Sequence, residues 1–345
     1  MDSEPWPGLR DSFRPKTEAK SSMRLPHAGE TAKRQWVHVA FAGRSLRMAR
    51  SGSMRAMPTV KANGLDIFYD TFGKREDAPL LLVMGLGAQM IAWDEEFCRQ
   101  LAGRGFFVVR FDNRDAGLSS KVEGGPAPDI AAVMGGDRSS ASYLLDDMAD
   151  DAAGLLDALG IGSAHIVGAS MGGMIVQAMA IKHAAKVRSL CSIMSTTGDP
   201  SVGQPKPEAM AALLAPPPKT REEAIATGVA TFRIIGGTFP FDEARVRDLV
   251  ARSYDRSNYP VGMARQLVAI VASPDRTDGL KGAHVPTLVV HGDTDPLVTP
   301  SGGEATAAAV PGAKLLMVPG MGHDLPEPAW PTILDAIAEN AHGAR

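Results

Sequence analysis

Cysteine is nearly absent: Cys98 and Cys191 are the only two in 345 residues. Neither sits in a CxxC pair or at a zinc-like spacing, so neither a disulfide framework nor a bound metal is expected. A reducing compartment is the simplest setting for such a chain, and a cytoplasmic location is the expectation. No run approaches the ~18 apolar residues of a membrane-spanning helix, so no transmembrane segment is expected. The N-terminus lacks the apolar stretch of a secretory leader. There is no excess of positive charge either. Lys and Arg number 36 against 39 Asp and Glu, a net of −3, which argues against a nucleic-acid partner. No G-x-G-x-x-G or P-loop pattern occurs, so nothing points to a nucleotide cofactor.

What is present is ordinary globular material, 44% hydrophobic and 22% charged. The length corresponds to one large or two modest domains and can bury a sizeable core. The charge is uneven. Residues 1–57 hold 11 Lys/Arg and 5 Asp/Glu, a net of +6, so the remainder carries −9. Between Thr31 and Met57 there are six basic and no acidic residues, interleaved with Trp36, Val37, Val39 and Phe41. Excess charge with little apolar periodicity predicts a disordered extension. Met54 and Met57, just before the patterned region, would then be alternative starts. A transit-like or peripherally membrane-touching segment is the other reading.

From about Pro58 the pattern changes. Asn63-Gly64 is a hairpin signal before a strand at 65–69. Continuous apolar runs at 80–84, 106–111, 165–168, 190–194, 288–290 and 315–318 predict strands buried on both faces. Residues 142–159 place Leu144, Leu145, Met148, Ala152, Leu155, Leu156 and Leu159 on one helical stripe, with Asp residues opposite. Strands alternating with helices predict a mostly parallel sheet covered on both sides. The alternation breaks at about Asp199. Pro200, Pro205, Pro207 and Pro216-Pro217-Pro218 open a region without strand signals until Pro286. Thr220 and Glu223 form a possible capping box, Ile225, Val229 and Phe232 follow at helical spacing, and further helix patterns begin at Asp242 and Val261. Residues 199–283 are therefore expected to form a helical lid inserted into a core of 58–198 and 284–345. Phe232, Ile234, Ile235, Phe239 and Phe241 are its candidates for lining an apolar pocket.

Gly168-Ala169-Ser170-Met171-Gly172 is a G-x-S-x-G pattern. In a nucleophile elbow the serine sits on a strained strand-to-helix turn that flanking glycines make room for. The bare pattern is weak in a chain with 36 glycines. Its context strengthens it, because a buried strand leads in and a helix pattern leads out. A serine hydroxyl needs a base. His27 and His38 lie in the extension, His342 near the terminus, and His165, His183, His284 and His291 in or beside regular elements. His323, in Gly320-Met321-Gly322-His323-Asp324 directly after the last strand, is the expected base. The acid should follow a strand between the two, and His291-Gly292-Asp293-Thr294-Asp295-Pro296 offers Asp293 and Asp295. An oxyanion needs two aimed N–H donors. Met171 and Leu86, the latter in Met84-Gly85-Leu86-Gly87, are the expected pair.

These motifs in order, together with Arg-Phe-Asp-Asn-Arg-Asp-Ala-Gly-Leu-Ser at 110–119, resemble the α/β-hydrolase superfamily. Within it they resemble actinobacterial esterases of the aclacinomycin methylesterase and lipase/esterase type. The resemblance covers about residues 58–345. It implies an α/β-hydrolase fold and a Ser-His-Asp triad without metal or organic cofactor. It also implies that the 112–119 loop is a structural turn bracing the site. Many relatives have His where Met84 stands. The family pattern places the acid at Asp295. The turn chemistry agrees, because Asp293 follows Gly292 immediately and is placed to accept local N–H bonds.

The implied function is hydrolysis of a carboxylic ester of a hydrophobic or bulky small molecule. Thioester or phospholipid acyl hydrolysis, C–C bond hydrolysis and perhydrolysis use the same triad. A dehalogenase or epoxide hydrolase would carry Asp at position 170. A catalytically dead binding module would lack a triad member, and all three are here.

The first testable consequence concerns the extension. A chain starting at Met57 should melt and hydrolyse model esters like the full chain. A large drop in melting temperature or activity would mean that residues 1–57 pack on the core.

Overall fold

The computed structural model describes residues 58–343. The expectations for the basic extension lie outside the described residues. Eight strands form one sheet: β1 (Thr59–Ala62), β2 (Leu65–Phe72), β3 (Ala78–Val83), β4 (Phe106–Phe111), β5 (Ala164–Ala169), β6 (Val187–Ile193), β7 (Thr287–Gly292) and β8 (Lys314–Val318). Their spatial order is β1-β2-β4-β3-β5-β6-β7-β8. β1 and β2 run antiparallel to their neighbours, and the other six are parallel. The six apolar runs expected to be strands are β3 to β8. β1 gave no signal of its own. It exists because Asn63 (φ 48) and Gly64 (φ 79) make a two-residue turn that folds it back on β2.

The sheet divides its side chains by period two. Leu81, Val83, Val109 and Ile166 face one layer, covered by helices Leu145–Ala158 and Met171–Lys182. Leu80, Leu82, Val108 and Val167 face the other, covered by helices Glu95–Gly103 and Trp330–His342. Each fully buried Leu or Ile contributes about 1.5–3 kcal/mol from leaving water. One charge departs from the expected pattern. The stripe on helix Leu145–Ala158 should leave its aspartates to solvent, yet Asp151 is buried. Arg114 reaches it with two hydrogen bonds of 2.6 and 2.7 Å, and Asn63 adds a third.

Between β6 and β7 lie helices Pro207–Leu213, Arg221–Ile235, Glu243–Arg256, Pro260–Ala272 and Thr277–Lys281, with no strand among the described residues there. The Thr220 hydroxyl accepts the Glu223 N–H at 3.1 Å, but the Glu223 carboxylate turns to the Lys219 N–H. The expected capping box is therefore half formed. Asp242 caps the next helix through the Arg245 N–H. No helix among the described residues is long and apolar enough to cross a membrane.

The insertion is pinned to the core by a buried ion pair. Arg256 donates to Asp112 at 2.6 Å and to Gln89 at 2.6 Å. Asp112 is 0% exposed and also accepts the Met90 and Leu118 N–H groups. Removing one partner of such a pair strands the other charge. Arg256→Met should therefore lower the unfolding free energy by about 3 kcal/mol in urea denaturation, with Arg256→Lys intermediate. A loss below about 0.5 kcal/mol would show that the pair behaves as a surface one.

Candidate active site

Parallel strands send their following loops to one edge of the sheet, and the candidate residues gather there. Ser170 stands between β5 and helix Met171–Lys182 with φ 56 and ψ −122. This is a strained conformation for a residue bearing a side chain. Two glycines make it feasible. A Cβ on Gly172 would collide with the Val83 carbonyl, and one on Gly168 would collide with Gly172 itself. The Ser170 N–H bonds to Ile193 O at 2.9 Å, and the Ser195 hydroxyl donates to Ser170 O at 2.9 Å.

His323 Nε2 lies 2.9 Å from Ser170 Oγ, and its Nδ1 lies 2.8 Å from Asp295 Oδ2. An ionised carboxylate only accepts, so Nδ1 carries the proton and Nε2 is free to accept the serine hydroxyl. Asp295 is 1% exposed and His323 8%. The other oxygen of Asp295 accepts the Leu297 and Val298 N–H groups at 2.8 and 3.0 Å. Three donors thus hold and orient the buried carboxylate.

Asp293 has a different place. Its Oδ1 accepts the Gly320 N–H at 2.7 Å, and Thr294 donates to Met321 O at 2.8 Å. Both residues stitch the β7 loop to the turn that carries His323. The bond of Asp293 spans 27 residues rather than closing the local turn.

Three other histidines are engaged elsewhere. His165 bonds Ser189, His183 bonds Asp150, and His342 stacks on Phe106. His291 is closer than its place in a strand suggested. Its Nε2 donates to Val298 O at 2.8 Å and lies 3.6 Å from Asp295 Oδ2. Burial lowers its pKa, which favours the neutral ring beside the acid.

The loop after β3 runs beside the elbow. A Cβ on Gly85 would lie 3.0 Å from Ser170 Cβ. Neither the Leu86 nor the Met171 N–H is taken by a turn or cap hydrogen bond among the described residues. Two braces fix this loop. Asn113 Nδ2 donates to Met84 O at 2.8 Å. Gln266, on helix Pro260–Ala272, accepts the Gly87 N–H at 2.8 Å and donates to Arg114 O at 2.8 Å. Sequence reasoning missed Gln266. Its one signal was a polar residue inside the apolar stretch of that helix, and it is 0% exposed.

A cavity of about 1690 Å³ opens over Ser170 and His323, walled largely by the insertion. Phe232, Ile235, Phe239 and Phe241 line it as expected. Ile234 does not, being 39% exposed on the outside of its helix. Six methionines, Met84, Met134, Met174, Met194, Met210 and Met263, share the wall. Unbranched thioether chains suit a pocket that must adapt to its occupant.

Comparison with known proteins agrees with this architecture. Residues 78–328 match the model of the alpha/beta hydrolase fold family. The chain is 29% identical to rhodomycin D methylesterase DauP of Streptomyces sp. (strain C5), over 84% of this chain and 99% of that one. It is 27% identical to the bifunctional esterase/perhydrolase DCH of Acinetobacter calcoaceticus, over 79% of this chain and 94% of that one. Among solved structures, the enol-lactonase of Burkholderia xenovorans LB400 superimposes with a TM-score of 0.63 at 24% identity, covering 83% of this chain and all of that one. The chain belongs to the α/β-hydrolase fold family.

Proposed function

We propose that this protein is a carboxylic ester hydrolase acting through an acyl-enzyme on Ser170, with His323 as general base and Asp295 as its orienting acid. The observation that carries the reading is the unbroken hydrogen-bond chain Ser170–His323–Asp295 at the floor of a large apolar cavity. Ser170 Oγ attacks the ester carbonyl while its proton passes to His323 Nε2. The oxyanion is received by the N–H groups of Leu86 and Met171. The protonated imidazole, stabilised by Asp295, returns the proton to the departing alkoxide, and the alcohol leaves. Water then attacks the acyl-enzyme with His323 again as base, releasing the acid and the free serine.

The substrate class is a hydrophobic or bulky small-molecule ester. The cavity volume supports a large occupant, and the name of the relative rhodomycin D methylesterase points the same way. The helices between β6 and β7 act as the lid. Thioester, phospholipid acyl and C–C substrates would use the same machinery, and a turnover panel over acyl length and leaving group ranks them.

Two experiments test the roles. Ser170→Ala should fold normally, resist fluorophosphonate labelling and lose on the order of 10⁴ or more in kcat. Near-normal esterase activity in that variant would end the reading. The second separates the two aspartates. Asp295→Asn should keep the fold but lower kcat by ~10⁴, because the amide no longer holds the imidazole tautomer. Asp293→Asn weakens the bond to Gly320 and should mainly lower the melting temperature. A dead Asp293 variant beside a live Asp295 variant would reverse the assignment.

A further inference from the structure

The carboxylates that line the cavity are nearly all engaged within the protein. Asp199 accepts from the Ser201 N–H and hydroxyl, and Asp275 from the N–H and hydroxyl of Thr277. Asp242 caps its helix, and Glu327 lies 3.7 Å from Arg245. Asp324 is different. It lines the cavity immediately after the base, yet its side chain takes only the Gly322 N–H, at 3.2 Å. No ion pair joins it to a Lys or Arg among the described residues. Of the four arginines that line the cavity, Arg138 is exposed and the other three are already committed. Arg233 pairs with Glu243 and lies over Phe241. Arg245 pairs with Asp94 and lies over Trp330. Arg276 donates to Gln177, Pro274 O and Thr196 O.

A half-buried carboxylate without a Lys or Arg partner is costly, and burial raises the pKa of Asp324 accordingly. Of the groups nearest in charge, His323 favours the carboxylate but is committed to Asp295 and Ser170, and Asp295 repels it. Aromatic rings stand on the segment packed against this loop. A Cβ on Gly236 would lie 3.7 Å from Asp324 Oδ2, and the Gly236 N–H bonds to Phe232 O at 2.8 Å. Phe239 approaches a Cβ on Gly320 to 3.9 Å. Both phenylalanines line the cavity. A carboxylate in an apolar wall that also carries aromatic side chains is the chemistry that recognises ammonium groups.

We propose that Asp324, with Phe232 and Phe239, forms a cation subsite that directs this enzyme to esters carrying an ammonium group. The proposal rests on the ester-hydrolase reading and narrows its substrate class. Asp324 is then a specificity-determining residue. It supplies no proton to the reaction but fixes where the positive end of the substrate lies relative to Ser170.

Isosteric ester pairs test it. On the alcohol side, acetylcholine is compared with 3,3-dimethylbutyl acetate. On the acyl side, methyl 4-(trimethylammonio)butanoate is compared with methyl 5,5-dimethylhexanoate. Each pair differs in charge and hardly in shape. In at least one pair the wild type should favour the cation by about tenfold or more in kcat/KM, and Asp324→Asn should bring that ratio to about one. The ratio cancels any loss common to both esters, such as a disturbed His323. Calorimetric binding of pentyltrimethylammonium, which needs no turnover, should weaken by about tenfold in the same variant. Absence of a cation preference in both wild-type pairs would overturn the proposal. So would a preference, or ammonium binding, that survives Asp324→Asn, since Asp324 would then be a turn residue only. Turnover of the neutral esters by the wild type stands or falls with the ester-hydrolase reading alone, so the two failures are distinguishable.

Discussion

Where helix Met171–Lys182 crosses the end of β3, Gly172 comes so close to the Val83 carbonyl that no Cβ fits between them. That approach sets the rest of the site. It draws the helix start down onto the sheet, and the chain can then leave β5 only through the conformation seen at Ser170. Such a backbone costs on the order of 1–3 kcal/mol and persists only when its surroundings over-determine it. They do so from both sides. The Ile193 carbonyl and Ser195 hydroxyl hold the Ser170 peptide from the β6 side. Met171, Ile175 and Val176 are fully buried one turn on. The same contact brings the Met84–Gly87 loop beside Ser170, since Val83 pairs in register with Gly168.

Asp295 and His323 are brought together by a second piece of register. Gly292 at the end of β7 stands opposite Val318 at the end of β8, so the two following loops leave side by side. Asp293 and Thr294 stitch them together, and Asp295 is the first residue free to turn inward. Val298 links two functions of that turn. Its N–H goes to Asp295, while its carbonyl takes the His291 ring N–H. The Asp295 carboxylate is therefore held by two backbone N–H groups and the His323 ring, with the His291 ring behind it.

Much of this was legible in the residues because the physics is local. Parallel strands buried on both faces read as unbroken apolar runs, and β3 to β7 did so, whereas the apolar run of β8 lies at the sheet edge with Leu315 39% exposed. Ser170 and His323 were legible from glycine spacing next to such runs. What escaped was set by distant partners. Helical periodicity puts Asp151 on the solvent side, but Arg114, 37 residues away in sequence, pulls it inside. β1 is too short to show alternation and depends on its hairpin. Ile234 sits one residue from two cavity-lining neighbours, and the helical turn alone decides that it faces outward. Gln266 is 179 residues from Gly87, so no pattern in the chain joins them.

That last contact has a counterpart across the site. The Ile235 carbonyl accepts the backbone N–H of His323 at 2.7 Å, and the Thr238 N–H bonds Gly320 O at 2.7 Å. Gly237 and Gly322 have no Cβ, which lets the two backbone segments come into direct contact. The insertion thus holds the base at one end through Ile235 and the β3 loop at the other through Gln266, while Arg256 fixes it between them. A segment bonded to both halves cannot shift by a large fraction of an ångström without moving one half relative to the other. Substrate contacts with the helices that wall the cavity are therefore mechanically connected to the spacing between Ser170, His323 and the Leu86 peptide.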